Sequence, residues 1–419
     1  MAVVIKGSGS IEGSSGLEMG ANGTTEIRGK VNVALGSSVA GDSYTSGIST
    51  ASNFAPSSVP TSERNIIING AMQVAQRGTS AAATINYATV DRFSIVQSGG
   101  QNSPDQAQSA LSSSDSGPWA DGLRYSYKMT NGAQSSADAN DYSLIVYKVE
   151  SQDMAQSGWD YGNTSSDITL SFWVRTSIAE TYYFDLVTQD TTSQGYCMSA
   201  ALSANTWTKI ERTIPGASGI VFNSDNGSGL EINWNLYYGS DYTDAGRALN
   251  TWAAWASGTR TPVNDSSWWL TDNATFEITG VQLEVGSVAT PFEHRSKATE
   301  LLRCQRYLQV LTSGDDDNYF GTGYYYNSSN AYLQYRMQPE MRSGPSVVQV
   351  TGTNYYYLYR DGSGDGFDGF TGFQWNSGTA NAGRSGAFYN NTAMSGTGGQ
   401  TGGFYANNNS AKISLDAEL

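Results

Sequence analysis

Seven aromatic residues of the C-terminal region are the side chains best suited to bind a ligand. They are Tyr324, Tyr326, Tyr355, Tyr356, Tyr357, Tyr359 and Trp375. An aromatic ring offers a flat apolar face to the C–H side of a sugar ring, and tyrosine or tryptophan adds a polar edge for a hydroxyl. Successive side chains of a strand point to opposite faces, so a run of tyrosines must place rings on both. The pattern predicts a glycan-binding surface; the alternative is that one face fills a core and the other packs on a second subunit.

The residues that could perform catalysis are sparse. His294 is the only histidine and stands in PFEHRS without a nearby partner, so a Ser-His-Asp or Cys-His arrangement is not indicated. Cys197 and Cys304 lack metal-ligand spacing, which excludes ordinary zinc sites. We therefore predict no catalytic residue and no cofactor. A carboxylate pair that hydrolyses glycosides remains open among the 38 acidic residues.

One acidic segment is similar to half of a calcium-binding loop. Asp361, Ser363 and Asp365 occupy positions 1, 3 and 5, and Gly366 follows at position 6. Position 12 is Gly372, where such a loop needs a bidentate glutamate. The segment therefore predicts a turn without metal.

Composition indicates an all-β protein. The chain has 419 residues, of which only 15% are charged, and it contains 47 glycines and 26 tyrosines. The Ala, Glu, Lys and Leu excess of helical proteins is missing, whereas turn residues and strand-forming aromatics abound. A net charge of −15 disfavours nucleic acid and anionic lipid as partners. No apolar run is long enough for membrane insertion, and the start lacks the layout of a signal peptide.

Residue patterns divide the chain into five predicted segments. Residues 1–35 are short apolar pairs separated by Gly and Ser, a pattern that predicts an extended N-terminal arm of short strands, with a disordered arm as the alternative. Residues 36–64 have linker composition. Residues 65–293 carry many short strands bounded by turn residues, the most regular being Ile168–Val174, which predicts a jelly-roll β-sandwich. Residues 294–310 predict a helical connector and residues 311–419 a C-terminal β tip domain.

The segment Phe276–Phe292 predicts the strand that closes the sandwich, with Phe276, Ile278, Gly280, Gln282 and Glu284 on one side.

The segment Ser296–Leu308 is the clearest helical candidate. Ser296 can cap its first turn, and we expect its apolar side to consist of Ala298, Leu301, Leu302, Tyr307 and Leu308. A helix this short is marginal alone, so it must either dock on the sandwich or bundle with copies of itself.

Several segments together resemble tail fibre proteins of tailed bacteriophages. These segments are RNIIINGAMQVAQRG, YATVDRFSI, ITLSFWVRTS, TWTKIERTIPG, FEITGVQLEVGSVATPFEHRS and CQRYLQV, which span roughly 65–310, together with the C-terminal FYANNNSAKISLDAEL. The resemblance implies a jelly roll similar to carbohydrate-binding modules, carried on a homotrimeric fibre in the virion tail. It also implies that the arm contacts other tail proteins and that the fibre binds bacterial polysaccharide or lipopolysaccharide. It supplies no binding residues.

The expectation is therefore a non-enzymatic tail fibre protein, made in the host cytoplasm without a signal peptide, that attaches to host cells by binding glycan. Two alternatives remain: a capsid-mounted adhesion fibre, and a glycan depolymerase that uses a carboxylate pair.

Overall fold

The computed structural model describes residues 63–263, 265–314, 317–375 and 383–419. The predicted arm at 1–35 and nearly all of the predicted linker at 36–64 lie outside these residues. The described chain is dominated by antiparallel strands with a few short helices, so the all-β prediction is confirmed. No helix among the described residues has the length and apolar character needed to cross a membrane.

Two six-stranded sheets form the first half of the described chain, in the strand orders β1-β3-β4-β12-β6-β9 and β11-β8-β7-β10-β5-β2. The strands are β1 Ser80–Ala81, β2 Phe93–Ser98, β3 Asp105–Ala110, β4 Tyr125–Thr130, β5 Tyr142–Glu150, β6 Asp167–Thr176, β7 Glu180–Thr188, β8 Gln194–Leu202, β9 Thr208–Pro215, β10 Ser228–Tyr238, β11 Trp252–Ala254 and β12 Thr275–Val285. The chain passes repeatedly from one sheet to the other. This is the predicted jelly-roll sandwich.

The sandwich core lies between the two sheets, where each buries its apolar side chains. Ile168, Leu170, Phe172 and Val174 of β6 all face this core, as their alternation predicts. The ring of Phe172 packs edge-on against Phe184 of the other sheet, with centroids 5.1 Å apart. Such interlocking aromatic rings join the two sheets.

The predicted closing strand is β12, which lies between β4 and β6 in the first sheet. The predicted facing was wrong beyond Ile278, because the register shifts between Thr279 and Gln282. Gly280 has a φ of +62° at this bulge, and Val281 and Leu283 enter the core in place of Gln282. A bulge inserts one residue and reverses the inward and outward positions after it.

Four short α-helices accompany the sandwich in the described part of the chain: α1 Ser116–Ala120, α2 Ser151–Ala155, α3 Ser267–Leu270 and α4 Lys297–Cys304. Ser296 caps α4 as predicted, because its hydroxyl accepts a hydrogen bond from the Thr299 backbone amide at 3.2 Å. Leu301 and Cys304 pack in one apolar cluster with Ile68 and Val74, so the helix docks on the sandwich.

The predicted extent of the α4 helix was too long. The helix ends at Cys304, and Leu308 begins a strand because it pairs with Asp416 near the C-terminus. Leu302 is 55% exposed and Ala298 is also exposed, so the predicted apolar side was partly wrong. Tertiary pairing here overrides a helical periodicity that is weak over so few turns.

A second sandwich follows α4, with a three-stranded sheet ordered β13-β22-β16 and a seven-stranded sheet ordered β18-β17-β21-β14-β15-β20-β19. The strands are β13 Leu308–Ser313, β14 Asn318–Tyr325, β15 Ala331–Arg336, β16 Ser346–Val350, β17 Tyr356–Arg360, β18 Ser363–Phe367, β19 Gly372–Trp375, β20 Ser385–Asn390, β21 Thr401–Ala406 and β22 Lys412–Asp416. A separate core fills it, in which Ile413 and Leu415 meet the aromatic side chains of the larger sheet. The predicted segment boundaries themselves stay a prediction.

A buried arginine of the first sandwich, Arg92, joins the two sandwiches by pairing with a residue near the C-terminus. Arg92 is fully buried, and its guanidinium lies 3.4 Å from the ring centroid of Tyr307. It forms an ion pair with Glu418 and donates a hydrogen bond to the Lys148 carbonyl at 2.6 Å. A charge removed from water is stable only when such partners surround it.

A second ion pair supports the same junction. Arg306 donates two hydrogen bonds to the buried Glu150 carboxylate, at 2.6 and 2.7 Å, and the Tyr307 hydroxyl donates another at 2.5 Å. Burial by itself would raise the pKa of Glu150, but these donors hold that pKa below its ordinary value. Glu150 is therefore a permanent anion at neutral pH.

Removal of the Glu418 charge should destabilise the whole described unit. Glu418→Gln leaves Arg92 buried without its counter-charge, and we expect the free energy of unfolding at pH 7 to fall by on the order of 3 kcal/mol. Denaturant unfolding measures this change. Glu340→Gln is the matched control, because its pair with Arg384 is about half exposed and such pairs contribute less than about 1 kcal/mol. Equal losses in the two variants would contradict the assigned role of Glu418.

Candidate functional site

The outward surface of the seven-stranded sheet carries a concentration of tyrosines, which we call the tyrosine face. In β17, Tyr356 and Leu358 are buried while Tyr357 and Tyr359 lie on the other side of the strand. The same alternation in neighbouring strands extends this surface. Its members are Tyr319, Tyr324, Tyr332, Tyr357, Tyr359, Tyr389 and Tyr405, with Tyr326 directly after β14.

Strand register arranges one group of these tyrosines in a row across three strands. Tyr357 of β17 pairs with Tyr405 of β21, which pairs in turn with Tyr319 of β14. The ring centroids are 5.4 Å apart in the first pair and 5.1 Å apart in the second. Cross-strand neighbours in register contact each other directly, so the three rings form one continuous apolar strip.

A second row crosses the other half of the sheet. Tyr324 of β14 pairs with Tyr332 of β15, and Tyr332 pairs with Tyr389 of β20. Their ring centroids are 6.0 and 6.1 Å apart, and Tyr326 meets Tyr332 edge-on at 5.8 Å. Since Tyr326 is 67% exposed, this row ends in a freely accessible ring.

Glycines on adjacent strands allow the rings to lie low on the sheet. A Cβ atom at Gly403 would come within 2.7 Å of the Tyr319 ring. Cβ atoms at Gly366 and Gly372 would come within 2.9 Å of the rings of Tyr357 and Tyr389. The absence of side chains at these positions gives the rings space to cover the neighbouring backbone, as aromatic side chains do beside glycines in β-sheets.

A polar stripe separates the two rows of rings. Thr322, Gln334 and Thr401 line a shallow depression of about 490 Å³. A second depression, of about 650 Å³, is lined by Gln334 together with Gln374 and Ser385. Hydroxyl and amide groups can both donate and accept hydrogen bonds, which matches the hydroxyls of a sugar. The face therefore combines apolar strips with neutral hydrogen-bonding groups.

The tyrosine face is almost uncharged. Arg336 is the one charged residue among the outward positions of the described strands of this sheet, and none of those positions carries a carboxylate. These outward positions therefore offer no carboxylate pair of the kind used in glycoside hydrolysis. The arrangement is suited to holding a neutral ligand.

The structure describes the side chains of six of the seven aromatic residues predicted to bind a ligand. Tyr324, Tyr326, Tyr357 and Tyr359 lie on the tyrosine face. Tyr356 was wrongly predicted to contact glycan, because it is fully buried in the core and its hydroxyl lies 2.6 Å from the Val350 carbonyl.

Tyr355 packs partly buried against the same core and does not belong to the face. The side chain of Trp375 lies outside the described residues, although its backbone pairs with Gly386.

Sequence reasoning missed four residues of the face: Tyr319, Tyr332, Tyr389 and Tyr405. The available signal was the Phe-Tyr order in two short strands, GAFYN and GGFYA. Phe388 and Phe404 take the buried positions, so the tyrosine after each one must point outward. The prediction followed the density of consecutive tyrosines, whereas membership of the face depends on the alternation of inward and outward side chains.

The calcium-like segment forms a turn, as predicted. Asp361 and Gly362, with φ values of +42° and +73°, join β17 to β18 as a two-residue hairpin loop. Asp365 accepts hydrogen bonds from the Tyr325 hydroxyl at 2.7 Å and from the Ser395 hydroxyl at 2.6 Å. Burial alone would raise the pKa of Asp365, but these donors lower it. No cluster of three acidic, histidine or cysteine residues suited to a metal occurs among the described residues.

The lone histidine has a local partner that the sequence did not reveal. Nε2 of His294 lies 2.7 Å from the Asp121 carbonyl, and its ring packs edge-on against Phe292. Cys197 and Cys304 are both buried, and burial raises the pKa of each thiol. In this state neither thiol is a nucleophile.

No family model and no curated protein matches this chain. A family 11 carbohydrate-binding module from a cellulosomal cellulase of Clostridium thermocellum is similar at 12% identity over 49% of this chain and 96% of its own, with a TM-score of 0.24. A putative sugar binding protein from Bacteroides thetaiotaomicron is 11% identical, over 53% of this chain and 100% of its own, with a TM-score of 0.27. A cyclase from Fischerella sp. TAU is 9% identical, over 54% of this chain and 99% of its own, with a TM-score of 0.26. At these scores the likenesses carry no inference about function, and the fold assignment rests on this chain's own sheets.

Proposed function

We propose that this chain is a tail fibre protein of a tailed bacteriophage, which attaches to the host surface by holding a neutral glycan on the tyrosine face. The observation that carries the binding part is the pair of tyrosine rows separated by a polar stripe. The virion part rests on the sequence resemblance described above. In this proposal the predicted arm at 1–35 contacts other tail proteins.

A polysaccharide has two kinds of surface, and the tyrosine face has a counterpart for each. The C–H faces of sugar rings pack on the apolar strips formed by rings such as Tyr405 and Tyr332. Gln334 and Thr322 in the polar stripe offer hydrogen bonds to hydroxyls of the same chain. Because the face is open and shallow, it accommodates an extended glycan rather than enclosing a single small molecule.

Weak contacts of this kind gain strength by repetition. In a homotrimer the three faces bind one cell surface together, which raises the effective concentration without any new contact. The proposed fibre thus needs no enzymatic activity for attachment. The ligand class that we propose is bacterial surface polysaccharide and lipopolysaccharide.

Loss of single rings should weaken glycan binding. We expect Tyr405→Ala and Tyr332→Ala each to remove about 1 kcal/mol of binding, a roughly fivefold rise in Kd, because each deletes the central ring of a row. Biolayer interferometry against immobilised bacterial polysaccharides and lipopolysaccharides, first screened with the unmodified chain, measures this change.

Tyr125→Ala is the matched control, since Tyr125 is an exposed tyrosine on the first sandwich. Its Kd should equal that of the unmodified chain. If the two ring deletions leave binding as strong as the control does, the tyrosine face is not the glycan site.

The assembly state is tested separately. We expect the full chain in solution to show three times the 44.8 kDa of one chain by light scattering at micromolar concentration, because a fibre requires chains held in register. A mass of one chain would contradict the trimeric part of the proposal.

Absence of hydrolysis is a further expectation. Polysaccharide that the protein binds should keep its size distribution after prolonged incubation, since the outward positions of the described strands of the seven-stranded sheet carry no carboxylates. Size-exclusion chromatography of the polysaccharide measures this. Steady release of fragments would overturn the binding-only proposal and favour a depolymerase.

A further inference from the structure

A smaller and more enclosed pocket lies on the first sandwich, against the outward side of its second sheet. It has a volume of about 310 Å³, at the lower end of the range for small-molecule sites. Strands β5 and β10 form its floor through Lys148, Glu231 and Asn233, and residues after β10 form its wall through Trp255 and Arg260. This pocket is distinct from the tyrosine face, which belongs to the other sandwich.

The floor contains a buried polar side chain without a regular partner. Asn233 is 1% exposed, yet neither its amide nitrogen nor its amide oxygen makes a hydrogen bond within the described residues. Glu231 lies close enough for the Asn233 amide to influence its pKa, but the two groups lack hydrogen-bond geometry. A buried amide without hydrogen bonds is unfavourable, and a ligand that supplies a donor and an acceptor would satisfy it.

The wall presents an arginine inside a cage of aromatic rings. The Arg260 guanidinium lies 4.8 Å from the ring centroid of Tyr242, 5.3 Å from that of Tyr238 and 5.8 Å from that of Trp255. Its side-chain hydrogen bond to the Tyr238 hydroxyl is long, at 3.4 Å, and its Nε has no partner. The rings thus hold the cation in place and leave part of its hydrogen-bonding capacity unused among the described residues.

A glycine of the sheet makes room for this wall. A Cβ atom at Gly195 would come within 2.4 Å of the Trp255 indole, so the indole lies directly on the backbone of β8. Arg247 is 7% exposed and donates a hydrogen bond to the Gly195 carbonyl at 2.6 Å. The segment after β10 is therefore anchored to the sheet rather than loosely placed above it.

The charges around the pocket favour an anion. Neither Arg247 nor Arg260 makes an ion pair with a carboxylate of the described residues. Burial raises the pKa of the fully buried Asp185 to about 7, although hydrogen bonds from Cys197 and Asn235 and the charges of Arg247 and Arg260 oppose that rise. Burial also raises the pKa of Glu231, although Lys148 opposes that rise. The pocket lining thus sets two cations, Lys148 and Arg260, against the one carboxylate of Glu231, which leaves one positive charge in excess.

We propose that this pocket binds one acidic sugar residue, whose carboxylate pairs with Arg260 and whose hydroxyls bond to Asn233, Glu231 and Gln189. Gln189 lines the pocket and already donates a hydrogen bond to Glu231 at 3.3 Å. A carboxylate on arginine is a charge-assisted contact, and carboxylate or amide groups suit neighbouring hydroxyls. The site deepens the proposed glycan attachment by adding a second, acidic sugar class on the first sandwich.

The test compares sugars that differ in the carboxylate alone. The full chain is titrated by calorimetry and by ligand-observed NMR with the methyl glycosides of glucuronic and galacturonic acid, each against its neutral glucoside or galactoside. We expect saturable binding of at least one acidic sugar, with its neutral counterpart weaker by about tenfold or more. Arg260→Gln should abolish that preference, while Arg212→Gln on β9 of the other sheet should leave it unchanged.

Three results would overturn the proposal: no saturable binding of either acidic sugar, equal binding of the neutral counterpart, or an unchanged preference in Arg260→Gln. If Arg260→Gln does not fold, Gln189→Ala replaces it, and its Kd must rise by about threefold or more for the proposal to stand. Tyr332→Ala should retain acidic-sugar binding here. Failure of the tyrosine face and failure of this pocket are therefore separately visible.

Discussion

The buried Arg92 guanidinium is the constraint on which the described structure depends. It reaches Glu418 beside the C-terminus, the Tyr307 ring after α4 and the Lys148 carbonyl of the first sandwich. Because an unpaired charge in that position would be very costly, the chain's end, the connector and the sandwich must be placed together. The two sandwiches therefore meet in a defined geometry, and their surfaces are presented in fixed directions.

Glycine residues make room for aromatic rings on both candidate surfaces. Gly403 and Gly372 allow tyrosine rings to lie low on the seven-stranded sheet, and Gly195 does the same for Trp255 on the first sandwich. In each case an aromatic ring takes the space that a side chain would fill. The high glycine content of this chain thus serves ring placement as well as turns, and it makes flat aromatic surfaces possible on antiparallel sheets.

The two surfaces differ in the chemistry that they offer. The tyrosine face is open, nearly uncharged and repeated across strands, so it favours extended neutral chains. The pocket beside Asn233 is enclosed on one side by Arg260 and rests on buried polar groups, so it favours one small charged group. Under the proposed function, the tyrosine face would bind neutral segments of a glycan and the pocket would bind an acidic sugar residue, each independently of the other.

Local pattern by itself determined the all-β class, the regular strand Ile168–Val174, the Ser296 cap and the turn at Asp361, because alternation, capping and turn chemistry act over a few neighbouring residues. Only the tertiary structure decided that α4 ends at Cys304, that Gly280 reverses the facing of β12, and that Tyr356 is buried. It also brought Asn233 and Arg260 to one pocket. These outcomes depend on pairing and packing between residues far apart in the chain, which local periodicity does not contain.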